Sequence, residues 1–203
     1  MPDIRPYRPS DRWVLYDICV RTADAGSDAR GQYSTDDLMG DLFAGPYAEL
    51  EPELAFVADD GGRAVGYVLG TANTAAFVRH YADKWLPYFA ERYPPPPPAP
   101  RTPEQDMVAL GFHPERMILT ELAAYPAHLH IDLLPDHQGR GLGRRLIERF
   151  LTAAAEAGAT GVHVCMLRSN VKARGFYDRL GFVQLDVPDP GPVDYLGLPL
   201  PRG

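Results

Sequence analysis

Two cysteines, two lysines and no apolar run long enough to cross a bilayer are what this chain of 203 residues supplies least of. A membrane helix needs at least about 18 apolar residues in a row, and the opening MPDIRPYRPSDR lacks the apolar stretch of a secretory leader. The expectation is a soluble cytoplasmic protein with no membrane partner. Cys19 and Cys165 fall in segments that read as a helix and a buried strand, so both are expected to be reduced packing thiols with no redox chemistry. Positive charge is scarce too: the net charge is −7 and Lys84 and Lys172 are the only lysines. That balance excludes a general nucleic-acid binder, which needs clustered Lys and Arg for the phosphate backbone. An amine-bearing partner suits an acidic surface better, although net charge also serves solubility.

What is present supports a folded domain. Hydrophobic residues make up 45% of the chain, enough for a sizeable core, and no internal repeat or second domain boundary is visible across residues 1–203. Ile4 to Tyr7 reads as a first strand. Ser10 or Asp11 is placed to cap a helix carrying Trp13, Leu15, Tyr16, Ile18 and Cys19, and Ser34-Thr35-Asp36-Asp37 opens a second helix towards Leu42 and Phe43. Glu53 to Ala58 and Ala64 to Thr71 flank the turn Asp59-Asp60-Gly61-Gly62 and read as a hairpin.

Residues 75–127 differ in character. Phe77, Tyr81, Trp85, Tyr88 and Phe89 recur at helical spacing, and Pro94 to Pro98 end any helix and favour polyproline II. A second short helix is expected from Thr102 through Leu110. The aromatics read first as a packing stripe and second as a wall of a ligand pocket. They are also candidates for an interface, the oligomeric state being otherwise unspecified.

The segment HLHIDLLPDHQGRGLGRRL, residues 128–146, carries the strongest local signal. An alternating strand runs into a proline, then a loop with Gly139, Gly141 and Gly143, then an amphipathic helix with Leu142, Leu146, Ile147, Phe150, Leu151 and Ala154 that Gly158 is positioned to end. Glycines let backbone N–H groups approach an anion, and an opening helix adds free donors and the positive end of its dipole. No Gly-Lys-Ser/Thr follows, and the spacing is not that of a dinucleotide fingerprint. The pattern is Gln138-x-x-Gly141-x-Gly143. Downstream, Val162 to Leu167 reads as a strand, Lys172 to Leu180 as a helix, Phe182 to Val187 as another strand, and Tyr195 to Leu200 as a closing one.

The glycine loop, followed in order by Asn170, Phe176-Tyr177 and Leu180-Gly181-Phe182, resembles the paired motifs of the GNAT acetyltransferases. With Trp85-x-Pro87 and Tyr93-Pro94, the likeness extends over most of the chain to the acetyltransferase-like C-terminal domain of O-GlcNAcase. The eukaryotic domain has a degraded cofactor loop, whereas the loop here is complete. The resemblance implies an α/β fold of the GNAT type: a mixed, mostly antiparallel, splayed sheet flanked by helices, with a helical insertion between the third and fourth strands. It also implies an acyltransferase that uses acetyl-coenzyme A as co-substrate and a small-molecule or peptide amine as acceptor.

The same resemblance assigns roles. Backbone groups of Ile131 and Leu133 are expected to hold the pantetheine arm and polarise the thioester, with their side chains in the core. Gln138, Gly139, Arg140, Gly141, Leu142, Gly143 and Arg144 are expected to hold the pyrophosphate, and Asn170 the pantetheine, although an Asn there also serves as a helix cap. Tyr177 is the candidate general acid, with Phe176 filling the core beside it. Asp132 is the candidate base, with His128, His130 and His163 as rivals, because strand alternation puts His128, His130 and Asp132 on one face. Family members that use a glutamate on the fifth strand have no counterpart in VHVCML.

Two other classes fit parts of the chain. An acetyl-coenzyme A-binding protein without efficient turnover, as sensor or pseudo-acetyltransferase, accommodates the missing acid. The row His128-x-His130-x-Asp132 has the donor types of a metal-dependent hydrolase, but that reading leaves both motifs unexplained.

Overall fold

A computed structural model describes residues 2–201. Seven strands form one sheet in the order β1-β2-β3-β4-β5-β7-β6, comprising β1 (Asp3–Pro6), β2 (Phe56–Asp60), β3 (Arg63–Thr71), β4 (Ala127–Leu133), β5 (Gly161–Leu167), β6 (Val183–Leu185) and β7 (Val193–Pro199). All neighbours are antiparallel except β4 and β5. The hairpin of β2 and β3 turns through Gly61 and Gly62, with φ of 65° and 93°, the pair of positive values that a tight two-residue hairpin turn requires.

The decisive feature for function is how little β4 and β5 share. Their parallel register covers Ala127↔Val162 and His128↔His163, after which β4 keeps pairing with β3 as far as Leu133 and β5 with β7 as far as Leu167. The sheet therefore forks beyond His128. A fork leaves backbone polar groups without strand partners, and these must be met by side chains, water or a ligand.

Helices α1 (Arg12–Val20), α2 (Asp37–Phe43) and α3 (Gly45–Leu50) precede β2. Asp11 stands before α1, but its carboxylate accepts from the Arg8 backbone N–H at 2.8 Å and from Arg5, capping the single turn Pro9–Asp11 rather than α1 as expected. Between β3 and β4 lie α4 (Thr74–His80), a π-helical turn Tyr81–Trp85, α5 (Leu86–Arg92) and α6 (Pro103–Phe112). The expected helix after Thr102 is present with a full capping box: Thr102 Oγ1 accepts from Gln105 N, and Gln105 returns the bond to Thr102 N. Of the expected aromatic stripe, Phe77, Tyr81, Trp85 and Phe89 are buried and Tyr88 is half-buried against them, so the stripe packs on the core. Helix α7 (Leu142–Glu156) packs its Leu146, Ile147, Phe150 and Ala154 against the sheet, and α8 (Val171–Asp178) follows β5.

Two expectations about strand residues need correction. Cys19 is buried and donates to the Met39 carbonyl, but Cys165 is exposed, because β5 has already left β4 and its outward face borders a cavity. Ile131 and Leu133 are half-buried rather than core residues, since the fork removes the strand that would have covered them. Among the described residues no helix is long and apolar enough to cross a membrane.

Candidate functional site

The fork opens into a cleft of about 670 Å³, within the usual range of a few hundred to about a thousand for a small-molecule site. Its floor is the edge of β4. Leu134 N donates to Val65 O across the β3 ladder, so the neighbouring Leu133 carbonyl must point the opposite way, into the fork, where Gln138 Nε2 meets it at 2.9 Å. Alternation along a strand then turns the N–H groups of Leu133 and Ile131 and the Ile131 carbonyl the same way. Both residues line the cleft.

One end of the cleft is the glycine loop. Gly139 and Gly141 adopt φ of 72° and 80°, which a side chain resists, and a Cβ at either would meet open space. Gly141 caps α7 without any side-chain bond, so the first N–H groups of a 15-residue helix face outward with the helix dipole behind them. Gly143 serves a different purpose. A Cβ there would press on the Phe176 ring at 3.2 Å, so this glycine seats α7 against α8.

The other predicted loop residues separate. Gln138, Gly139, Gly141, Gly143 and Arg144 line the cleft. The Leu142 side chain is buried in the core, leaving only its backbone available. Arg140 is exposed and its side chain is not part of the cleft wall, contrary to expectation, because the left-handed residues on either side turn it outward. Arg144 is partly diverted, reaching Glu148 at 3.7 Å and the Arg179 carbonyl at 3.4 Å. Two cations that the sequence reading missed, Lys172 and Arg179, stand on the cleft instead. Both lie within the second motif block, and their proximity to the glycine loop follows only from α8 folding back over α7. The loop from Thr22 through Ser27 forms a further wall that no motif announced.

Asn170 does what both readings asked of it structurally. Its Oδ1 caps α8 by accepting from Ala173 N at 3.0 Å, while the residue also lines the cleft opposite Gly26. Tyr177 lines the cleft as well, but it is more buried than Phe176, at 7% exposure, and packs on Phe182. The expected division, with Phe176 inside and Tyr177 free, is therefore reversed in degree. Burial and the nearby Asp132 carboxylate raise the Tyr177 phenol above its ordinary pKa.

Asp132 faces the same cleft. It stands directly across the ladder from the fully buried Tyr67, whose hydroxyl donates to Asp132 Oδ2 at 2.6 Å. Burial raises the Asp132 pKa, and the hydrogen bond from Tyr67 holds it partly down.

The histidines of the same strand turn to a different place. Thr74 Oγ1 donates to Pro126 O at 2.8 Å, so it must accept from His128 Nδ1, leaving His128 Nε2 to accept from the Tyr47 hydroxyl, also at 2.8 Å. Tyr47 O then accepts from His130 Nε2 at 3.2 Å. His163 Nδ1 donates to the Tyr125 carbonyl at 2.8 Å. His128 is thus neutral with an assigned tautomer, while His130 Nε2 and His163 Nδ1 each carry a proton. Burial depresses all three pKa values, that of His130 to about 4, and neighbouring charges add to the effect at His128 and His130. These rings border a second cavity of about 120 Å³, against Tyr47, Tyr81 and Arg116. The His-x-His-x-Asp row therefore does not form a metal centre: Asp132 bonds to Tyr67, both His128 nitrogens are engaged, and no three-ligand group exists among the described residues.

The chain can be set beside known proteins. It is 28% identical over 184 residues to the O-GlcNAcases of Rattus norvegicus and Mus musculus, covering 90% of this chain but only a fifth of the length of those relatives. The crystal structure of SsHAT superposes with a TM-score of 0.94 at 58% identity over 98% of both chains. The yncA structure from Salmonella typhimurium, determined with its cofactor acetyl-CoA, shares the fold at a TM-score of 0.57 and 16% identity, over all of this chain and 96% of that one. The acetyltransferase (GNAT) family model matches residues 15–182, covering β2 to β5 with the fork, the glycine loop and Tyr177 together, and the chain belongs to that family.

Proposed function

We propose that this chain moves an acetyl group directly from acetyl-coenzyme A to the nitrogen of a small-molecule or peptide amine. The observation that carries this reading is the coincidence, in one cleft, of an anion cradle, an unpaired strand edge, and two titratable groups of opposite assignment. When bound, the thioester supplies an activated acyl carbon.

The protein's part divides along the cleft. Backbone N–H groups of residues 139–144, helped by Lys172 and Arg179, hold the pyrophosphate, because a helix start and two cations together offset its charge. The inward-facing groups of Ile131 and Leu133 hold the pantetheine arm as a further strand would be held, and one N–H polarises the carbonyl. Asn170 keeps its amide nitrogen for the same arm while its oxygen caps α8. Asp132, its pKa raised by burial, accepts the proton that the amine loses on forming the new C–N bond. Tyr177 gives a proton to the departing thiolate. Its raised pKa keeps the phenol protonated, and the burial that raises it raises a thiol in the same cleft alike.

The test is calorimetric titration of acetyl-coenzyme A into wild type and Gly141→Glu, followed by a turnover assay with an amine panel. Gly141→Glu forces a side chain to φ of 80° and points a carboxylate at the anion cradle, so binding should fall at least about a hundredfold. Folded wild type that binds no acetyl-coenzyme A would overturn the proposal. Tight binding with no turnover of any amine would favour the sensor reading.

A further inference from the structure

We propose that the small cavity beside the cleft is a carboxylate subsite anchored by Arg116, so that the preferred acceptor is an amine of amino-acid size bearing its own carboxylate and an apolar group. This rests on the acetyl-transfer reading above and adds the chemical class of the acceptor.

The cavity and the cleft share β4: residues 131–133 line the cleft and residues 128–130 the cavity. At about 120 Å³ the cavity far exceeds the roughly 10–15 Å³ that a single water needs, yet falls short of the few hundred of a complete ligand pocket. It therefore suits one end of a molecule whose other end lies in the cleft.

Its chemistry is one-sided. Among the described residues the lining includes no Asp or Glu. The three histidines are neutral and the phenols stay protonated, since burial raises the pKa of both Tyr47 and Tyr81. Arg116, at the exposed mouth, is the one permanent charge on the wall. Its only hydrogen bond among the described residues runs from Nε to the Leu110 carbonyl at 3.4 Å, and it forms no ion pair there. The guanidinium thus has donors to spare beside a wall of Leu42, Phe43, Phe77 and Leu110. A fixed cation over an apolar, aromatic pocket suits a carboxylate attached to an apolar body, and the planar fork of arginine matches a carboxylate bidentately.

The same inventory disfavours a polycation. A polyamine or a lysine-rich tail would bring a second positive charge to a cavity that offers Arg116 and no counter-ion.

The experiment compares kcat/KM for leucine, phenylalanine and γ-aminobutyrate with that for isopentylamine, phenethylamine, butylamine and spermidine, in wild type, Arg116→Met and Arg116→Lys. Wild type should prefer the carboxylate-bearing amines at least tenfold. Arg116→Met should erase that preference through a roughly ten- to hundredfold rise in acceptor KM, with acetyl-coenzyme A affinity unchanged, and Arg116→Lys should restore part of it. Equal or better turnover of plain amines or spermidine, a preference that survives Arg116→Met, or acetylation of no amine by protein that binds acetyl-coenzyme A would each overturn the carboxylate subsite. Absence of acetyl-coenzyme A binding would instead remove the reading on which it stands.

Discussion

Tyr67 and Asp132 face each other across the β3–β4 ladder, and the buried phenol donates to the carboxylate at 2.6 Å. The bond favours ionised Asp132, whereas burial opposes it, so Tyr67 sets how basic the carboxylate is. Tyr67→Phe removes a hydrogen bond to a charged group, worth about 1.5–3 kcal/mol, and should raise the Asp132 pKa by about one to two units. If Asp132 is the base, the acidic limb of kcat/KM against pH moves to higher pH by that amount. Tyr177→Phe is the contrasting change: it should lower kcat more than acetyl-coenzyme A affinity and leave the acidic limb in place. A pH profile unmoved by Tyr67→Phe would remove Asp132 from the base role.

Asp41 predicts a structural effect of similar size. Its fully buried carboxylate accepts from Tyr16 at 2.6 Å and Tyr93 at 2.8 Å and pairs with Arg92 at 2.9 Å, while its backbone carbonyl accepts from Trp85 Nε1 at 3.0 Å. Helices α1 and α2 are thereby tied to α5 and the π-turn before it. The close approach needs glycine on either side, since a Cβ at Gly40 would collide with the Tyr16 ring and one at Gly45 with Tyr16 and Trp85. Asp41→Ala strands two buried hydroxyls and an arginine, and should cost about 3–5 kcal/mol in urea unfolding. Asp41→Asn keeps the shape and should cost less. Acetyl-coenzyme A affinity well below the melting temperature should be unchanged, because none of these groups lines the cleft.

The division between what could and could not be read from the chain follows the range of the interactions. The Gly61-Gly62 turn, the Thr102 capping box, the glycine loop and the amphipathic α7 are local, and each was legible from neighbouring residues. Helix α3, with Tyr47 at the centre of the histidine chain, announced itself by nothing but Pro46. Lys172 and Arg179 reach the cleft only because α8 packs across Gly143, and Cys165 is exposed only because β5 leaves β4 after two residue pairs. Strand alternation correctly put His128, His130 and Asp132 on one face, but it is blind to the fork. The fork sends the histidines to the cavity and Asp132 to the cleft.

The histidine chain also makes stability depend on acid in a definite direction. His128, His130 and His163 are held neutral, each with a folded pKa below the ordinary 6.5 of the unfolded chain. Acid therefore protonates the unfolded state first. Stability is full above about pH 6.5 and falls as pH drops, by up to about 1.4 kcal/mol per pH unit for each histidine, until the folded pKa is reached, about 4 for His130. Asp132 has the opposite sign, since its raised pKa lets the folded state take up a proton first, and it offsets part of the loss. The sum of three histidines against one carboxylate predicts a net fall in the urea midpoint between pH 7 and pH 5. His130→Phe, whose ring fits beside Phe43 and Tyr47, should flatten that fall by the share of one histidine while leaving the Asp132 contribution intact. A pH dependence identical in wild type and His130→Phe would mean that this ring titrates alike in the folded and unfolded chains, and the neutral hydrogen-bonded chain from His130 through Tyr47 to His128 would then be wrong.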